Sequence, residues 1–215
     1  MDTEKAQRHN ERMKRHKKIV DEKIDNANIE QGVLIVITGN GKGKTTSALG
    51  TLLRSLGHGH QCALVQFIKG QWDCGETHFF ADNNISQNKE SSKGTSKIGN
   101  LVTYTMNTGF TWNTQDFDKD KQAAEDVWKQ ALPLFSAPKC NLIVLDEITY
   151  MFKYKYLDIN EFITVLNNRP KHQNVIITGR AAPEELIELA DTVSEIRPVK
   201  HAFNQGIKAQ EGIEW

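Results

Sequence analysis

The residues most suited to chemistry form one glycine-rich run, Thr38-Gly39-Asn40-Gly41-Lys42-Gly43-Lys44-Thr45-Thr46. It follows a β-branched segment, residues 33–37, and precedes a segment whose leucines share one helical face and which ends at Gly57. Glycines let backbone N–H groups converge on phosphate oxygens, and a helix N-terminus adds the positive end of its dipole. The pattern therefore predicts a phosphate-binding loop over residues 39–46, with Lys44 neutralising phosphate and the Thr45 hydroxyl on Mg²⁺.

The loop is one residue shorter than the usual Gly-x4-Gly-Lys-Ser/Thr pattern. Counting back from Gly43, the first glycine of that pattern would fall at residue 38, which is a threonine, and the glycine lies at Gly39. A tighter loop can hold a triphosphate differently from the loop of an ordinary ATPase.

An acidic pair, Asp146-Glu147, follows an apolar segment over residues 142–145. Mg²⁺ prefers hard oxygen ligands together with phosphates, so a carboxylate at a strand end can complete the metal site of a phosphate loop. In an ATP hydrolase Asp146 would hold the metal and Glu147 would orient a water molecule. The residues alone do not decide whether Asp146 or Glu147 binds the metal.

The surrounding pattern alternates strands with helices. Strands are predicted over residues 33–37, 63–68, 101–106, 142–145, 175–178 and 192–196. Helices are predicted over residues 118–135, from the capping box at Asp158, and from Pro183. We expect one α/β domain over residues 32–215, a parallel sheet flanked by helices of the P-loop NTPase (RecA-like) type, with tails at both ends.

Two segments stand apart by composition. Residues 1–31 are dense in charge and are interpreted as a helix or tail, either merely solvated or folding against a partner. Residues 83–100 are rich in Ser, Lys and Asn and are interpreted as a polar surface insert.

Composition excludes several protein classes. Lys and Arg number 27 and Asp and Glu number 27, and a zero net charge argues against a dedicated nucleic-acid-binding protein. We find no signal core and no apolar run of about 18 residues, so we expect a cytoplasmic protein without a membrane span. Cys62, Cys74 and Cys140 form no Cys-x-x-Cys pair, which argues against a zinc or disulfide site.

Five motifs in order give a more specific identification. They are the loop at residues 38–46, Gln66-Phe-Ile-Lys-Gly70, Thr108-Gly-Phe-Thr-Trp112, Val144-Leu-Asp-Glu147 and Arg197-Pro-Val-Lys-His-Ala-Phe203. Together they resemble the ATP:corrinoid adenosyltransferases, also called cob(I)alamin adenosyltransferases, over residues 22–215. The stretch at residues 83–100 departs from the shorter connection of that family.

The resemblance implies a transferase whose substrates are ATP and cobalamin or another corrinoid, with Mg²⁺ or Mn²⁺ as cofactor. Co(I) attacks the 5′-carbon of the ribose and expels triphosphate, and ATP lies in the loop in the reversed sense. Since Co(I) is itself a strong nucleophile, the protein must position the 5′-carbon and stabilise the leaving triphosphate. The resemblance assigns the metal to Thr45 and Glu147 rather than to Asp146.

The resemblance also assigns the residues that contact the corrinoid. Phe110 and Trp112 would lie below the corrin and displace the lower axial ligand of cobalt, which brings reduction within reach of a flavoprotein reductant. Lys44, Phe110 and Trp112 are thus the expected catalytic set, and Arg180 is a weaker candidate for a phosphate or corrin amide. A basic cluster, Arg197, Lys200 and His201, would lie over the nucleotide. The resemblance further suggests a homodimer whose N-terminal segment closes over an active site.

Two rival functions remain at this level. A RecA-like ATPase or kinase would use the same loop with Glu147 positioning water. A nucleotide-gated binding module would bind without turnover and grip its partner through residues 1–31. The products separate the three functions, since only the transferase releases triphosphate in a corrinoid-dependent way.

Overall fold

The computed structural model describes residues 2–68, 74–82, 98–106 and 116–214. The chain divides into two units, Met1–Gln31 and Gly32–Trp215. In the first unit, Asp2–Asn26 forms helix α1, which carries ion pairs one turn apart between Glu4 and Arg8 and between Lys18 and Glu22. Among the described helices, none combines the length and apolar character that a membrane crossing requires.

The second unit is built on a parallel sheet. In the described part of the chain, six strands pair in the order β3-β2-β4-β5-β1-β6, every pair parallel. In chain order the elements are β1 (Leu34–Thr38), α2 (Lys44–Gly57), β2 (Gln61–Gln66), α3 (Gly75–Asp82), β3 (Leu101–Thr105), α4 (Phe117–Ala131), β4 (Cys140–Asp146), α5 (Thr149–Lys153), α6 (Ile159–Asn167), β5 (Asn174–Thr178), α7 (Glu184–Leu189) and β6 (Thr192–Glu195). This is the α/β architecture of a P-loop protein.

Helices cover both faces of the sheet, which explains why its central strands are apolar throughout. On one face Leu49, Leu52 and Leu56 of α2 and Phe80 of α3 pack on the strands. On the other face a larger core contains Trp128 of α4, together with residues of α5, α6 and α7. Helix α2 is therefore fixed along its length, and its N-terminus is held at the carboxyl end of β1.

The carboxyl ends of the central strands meet at one edge. Gln66 of β2 lies opposite Asp146 of β4, and Ile37 of β1 lies opposite Thr178 of β5. Strand β5 separates β1, which leads into the glycine-rich loop, from β4, which ends in the acidic residue. Ligands of open parallel sheets bind at this edge.

The sequence expectations are confirmed for all six strands, although β2 begins and ends two residues earlier than expected. The Asp158 cap is also confirmed, since its carboxylate accepts the N–H groups of Asn160 and Glu161. The single helix expected over residues 118–135 is wrong at its end. The α-helix stops at Ala131 and a 3₁₀ turn over Leu132–Ser136 follows, because Pro133 lacks the N–H that a continued α-helix needs.

The structure describes the expected C-terminal tail up to residue 214. Ile196 and Glu214 both contact the phosphate loop, and several residues between them line a cavity beside it. Of the polar insert, only residues 98–100 belong to the described residues. Gly99 donates its N–H to the carbonyl of Leu56, and Asn100 accepts the N–H of Cys62, so this part is packed against the domain.

Candidate active site

The glycine-rich loop connects β1 to α2, and the N-terminus of α2 lies at the carboxyl edge of the sheet. Gly43 precedes the helix with φ of 113°, a left-handed conformation that favours glycine. Among the described residues, the cap residue Gly43 provides no side-chain acceptor, and the first N–H groups of an α-helix have no partner within the helix. Backbone donors in this arrangement are suited to a phosphate group.

Backbone hydrogen bonds from the segment that follows β6 fix the loop. The Gly41 N–H donates to the Ile196 carbonyl at 2.7 Å, and the Ile196 N–H donates to the Thr38 carbonyl at 2.8 Å. A Cβ atom at Gly41 would lie 2.7 Å from the Ile196 side chain and 2.9 Å from the Arg197 backbone. Gly41 is therefore required for close packing, and its N–H is used by the protein itself.

Thr38 explains the shorter loop. It ends β1, is buried, and accepts the Ala182 N–H through its Oγ1 at 3.3 Å. The position where the longer pattern has its first glycine thus belongs to the strand rather than to the loop.

Lys44 presents a buried ammonium group at the start of α2. Its side chain donates to the Gly41 carbonyl at 3.0 Å, and the residue is only 6% exposed. Burial lowers the pKa of Lys44, the carboxylate of Glu147 opposes that change, and the Arg180 guanidinium reinforces it. A poorly solvated cation in this position interacts strongly with a triphosphate.

Asp146 is engaged by two hydroxyl groups. Its Oδ1 accepts from Thr178 at 2.6 Å and from Thr45 at 2.9 Å. Desolvation raises the pKa of Asp146, and the hydrogen bonds from Thr178, Thr45 and Gln66 oppose it. Asp146 therefore orients Thr45, whose hydroxyl is the expected metal ligand.

Glu147 is placed differently. Its backbone has φ of 57°, its N–H donates to Thr178 Oγ1 at 2.9 Å, and its Oε2 is buried without a hydrogen-bond partner among the described residues. Burial and the Asp146 carboxylate raise the pKa of Glu147, whereas Lys44 and Arg180 lower it. A buried carboxylate oxygen with no donor is suited to bind a cation. Together with the Thr45 hydroxyl it fits Mg²⁺, which takes few protein ligands and keeps water and phosphate oxygens.

These groups surround a cavity of about 940 Å³. Its polar lining consists of residues 40–46 of the loop, both acidic residues and the exposed side chain of Arg180. Apolar side chains line the same cavity, namely Leu49, Leu53, Ile68, Phe79, Phe80 and Ile213. One cavity thus offers both a phosphate site and an apolar surface.

Most of the sequence-predicted site residues come together here. Residues 40–46, Glu147 and Arg180 all line the cavity, while Gly39 packs behind the loop near Ile196. Of the expected basic cluster, His201 lines the cavity, whereas Arg197 pairs with Glu195 at 2.9 Å. Phe110 and Trp112 lie outside the described residues.

The sequence analysis assigned no site role to Thr178, Gln66 or Glu214, which approach the loop or its acidic partner from distant parts of the chain. The signals available were the place of Gln66 in the motif at residues 66–70 and the position of Thr178 at the end of a predicted strand.

The chain was compared with known proteins. The family model described as "ATP:corrinoid adenosyltransferase BtuR/CobO/CobP" matches residues 30–215. The corrinoid adenosyltransferase of Escherichia coli strain K12 is 44% identical over 209 residues, which cover 97% of this chain and 98% of that protein. That of Pseudomonas aeruginosa is 46% identical over 213 residues, covering 99% and 98%. By this match over nearly its whole length, the chain belongs to the ATP:corrinoid adenosyltransferase family.

Proposed function

We propose that this protein transfers the 5′-deoxyadenosyl group of ATP to the cobalt of a reduced Co(I) corrinoid and releases triphosphate. Family membership supports this reaction, and the cavity carries the proposal in structural terms. Loop groups suited to a triphosphate and several apolar side chains line one cavity, as a substrate pair of ATP and a large flat macrocycle requires.

The bond changes place few demands on acid–base chemistry. The cobalt supplies the electron pair for the new cobalt–carbon bond, and the bond between the 5′-carbon and its oxygen breaks with its pair going to the triphosphate. The developing charge is met by the Lys44 ammonium, the loop N–H groups and Lys42. Mg²⁺ or Mn²⁺ held by Thr45 and Glu147 would add positive charge at the same group.

The protein's own task is to fix these groups in advance. Asp146 holds Thr45 through its hydroxyl, and the Ile196 carbonyl holds the loop at Gly41. Because neither contact must form during the reaction, the leaving group meets an arrangement that needs little reorganisation.

We further propose finer features that the resemblance implies. Phe110 and Trp112 lie on the corrinoid side and displace the lower cobalt ligand, a flavoprotein supplies electrons, and the enzyme is a cytoplasmic homodimer. Sedimentation at several protein concentrations tests the dimer, and a monomer at all of them would contradict it.

The rival function is an ATPase or kinase in which Glu147 positions water, and family membership does not favour it. Incubation with ATP, Mg²⁺ and chemically reduced Co(I) cobalamin decides between them. We expect an adenosylated corrinoid and triphosphate in equal amounts, with no triphosphate when the corrinoid is omitted. ADP and phosphate formed without corrinoid would instead identify a hydrolase.

A further inference from the structure

The last part of the chain, residues 197–214, begins and ends on the phosphate loop. At its start the Ile196 carbonyl accepts the Gly41 N–H, and at its end the Glu214 carboxylate lies 2.5 Å from the Lys42 ammonium. Between these points His201, Ala209, Gly212 and Ile213 line the cavity. We call residues 197–214 the C-terminal wall.

The two attachments differ in kind. The Ile196 attachment uses backbone groups packed against a glycine with no room for a side chain. The Glu214 attachment is an ion pair of side chains that are 43% and 29% exposed. An exposed pair contributes little free energy, about 1 kcal/mol at most, so a ligand can break it.

The position of Glu214 does not depend on Lys42 alone. Its backbone N–H donates to the Gln210 carbonyl at 2.8 Å, and the Ile213 N–H donates to the same carbonyl at 3.2 Å. This turn carries the carboxylate to the cavity side of the loop, where the triphosphate of the proposed function would bind. The Glu214 carboxylate and the triphosphate would then compete for the Lys42 ammonium group, and these two anionic groups repel each other.

We propose that Glu214 is a positioning residue that competes with the nucleotide triphosphate for Lys42. Lys42 is held either by Glu214 or by the triphosphate, and triphosphate binding releases the end of the C-terminal wall from the loop. The inference rests on the proposed function only in placing a triphosphate at the loop.

The test measures binding of inorganic triphosphate with Mg²⁺ to the full chain by calorimetry, without corrinoid. Glu214→Gln keeps the side-chain shape and removes the competing charge, so we expect it to tighten binding about three- to fivefold, the range set by a weak ion pair. Glu211→Gln makes the same charge change on an exposed residue of the same segment and is expected to leave the affinity unchanged. In a Lys42→Ala background, Glu214→Gln is expected to gain clearly less, because only the direct repulsion between Glu214 and the triphosphate is then removed.

Hydrogen exchange gives a second measurement. Amides of residues 206–214 are expected to exchange faster when triphosphate binds to the unaltered chain. The inference would be overturned if Glu214→Gln bound triphosphate more weakly than the unaltered chain. It would also be overturned if Glu211→Gln, or Glu214→Gln in the Lys42→Ala background, gained as much affinity as Glu214→Gln alone, or if the amides of residues 206–214 exchanged more slowly with triphosphate bound. If those results accompany normal corrinoid adenosylation, the proposed function survives; if the unaltered chain binds no triphosphate, the phosphate-loop assignment is overturned as well.

Discussion

Thr178 donates a 2.6 Å hydrogen bond to Asp146 Oδ1, and the same hydroxyl oxygen accepts the backbone N–H of Glu147 at 2.9 Å. One threonine at the end of β5 thus fixes both residues of the acidic pair, which lie at the end of the neighbouring strand. Thr45 donates to the same carboxylate oxygen and connects the pair to the start of α2. The metal ligands proposed here are therefore oriented by residues that need not touch the metal.

Replacing Thr178 by Val should disturb both contacts. The variant removes a donor from the buried Asp146 and an acceptor from the Glu147 N–H, so we expect a loss of about 2 kcal/mol in the free energy of unfolding. Urea denaturation measures that loss, and the Mg²⁺ concentration for half-maximal activity should rise. Thr178→Ser retains the hydroxyl and is the matched control; a loss as large in Thr178→Ser would show that the methyl group matters instead.

Lys44→Ala should abolish activity without lowering the stability of the fold. The ammonium group is the buried cation nearest the expected triphosphate, so its removal should abolish turnover and weaken ATP binding. Because burial lowers the pKa of Lys44, the charged form is disfavoured in the fold, and the variant should be no less stable than the unaltered chain. Lys139→Ala, on an exposed residue, serves as control. Near-normal activity of Lys44→Ala would refute the phosphate-loop assignment.

Glu147→Gln tests the metal site. The buried Oε2 has no hydrogen-bond partner among the described residues, and the pKa of Glu147 is raised by burial and by Asp146. Loss of the charge should therefore leave stability unchanged or higher, while activity at low Mg²⁺ falls by about a hundredfold. Thermal unfolding measures the stability, an activity titration with Mg²⁺ measures the second effect, and Glu188→Gln on α7 serves as control in both. Full activity at low Mg²⁺ would place the metal elsewhere.

The strand, loop and acidic pair could be predicted because each is encoded within a few adjacent residues. A continuous β-branched run, a glycine-rich turn and a leucine face specify β1, the loop and α2 locally. Thr178 lies 32 residues from Asp146, and Glu214 lies 172 residues from Lys42, so no spacing in the sequence relates them. Those contacts follow only from strand order and from the return of the chain after β6.

The helices that were missed are short, and the six-residue α7 was predicted only because Pro183 marks its start. Helix α5 has five residues and helix α3 has eight, and neither is long enough to display a clear helical period. Their position depends on packing against the sheet edge, which a local pattern does not express. The end of α4 was missed for a related reason, since a 3₁₀ turn continues the same apolar face.

Gly99 offers a test of the described end of the polar insert. A Cβ atom at this position would overlap the His60 carbonyl oxygen, so Gly99→Ala must shift backbone on one side. We expect a loss of about 2–4 kcal/mol in the free energy of unfolding. Gly50→Ala on α2 meets no atom within 4 Å and should stabilise the helix by about 0.5–1 kcal/mol. Equal stability of both variants would mean that residues 98–100 contribute nothing to the fold.

The aromatic pair separates this reaction from those of ordinary phosphate-loop enzymes. If Phe110 and Trp112 displace the lower ligand of cobalt, they act on the reduction step, before the transfer itself. Replacement of either ring by Ala should then impair the reaction from Co(II) corrinoid much more than the reaction from chemically prepared Co(I). For a one-electron couple about 59 mV changes the equilibrium constant tenfold, so a modest shift of the potential is measurable.

Both assays should be run on Phe110→Ala and Trp112→Ala at saturating ATP, with Phe117→Ala as an exposed aromatic control. ATP affinity should change little, since neither ring is expected at the triphosphate, whereas Lys44→Ala should lose both reactions together. A spectrum with ATP, Mg²⁺ and Co(II) cobalamin adds a direct readout, because the four-coordinate species should weaken in both aromatic variants. Equal losses from Co(II) and from Co(I) would mean that the rings only hold the substrate. Full activity in both assays would place the corrinoid site on other residues.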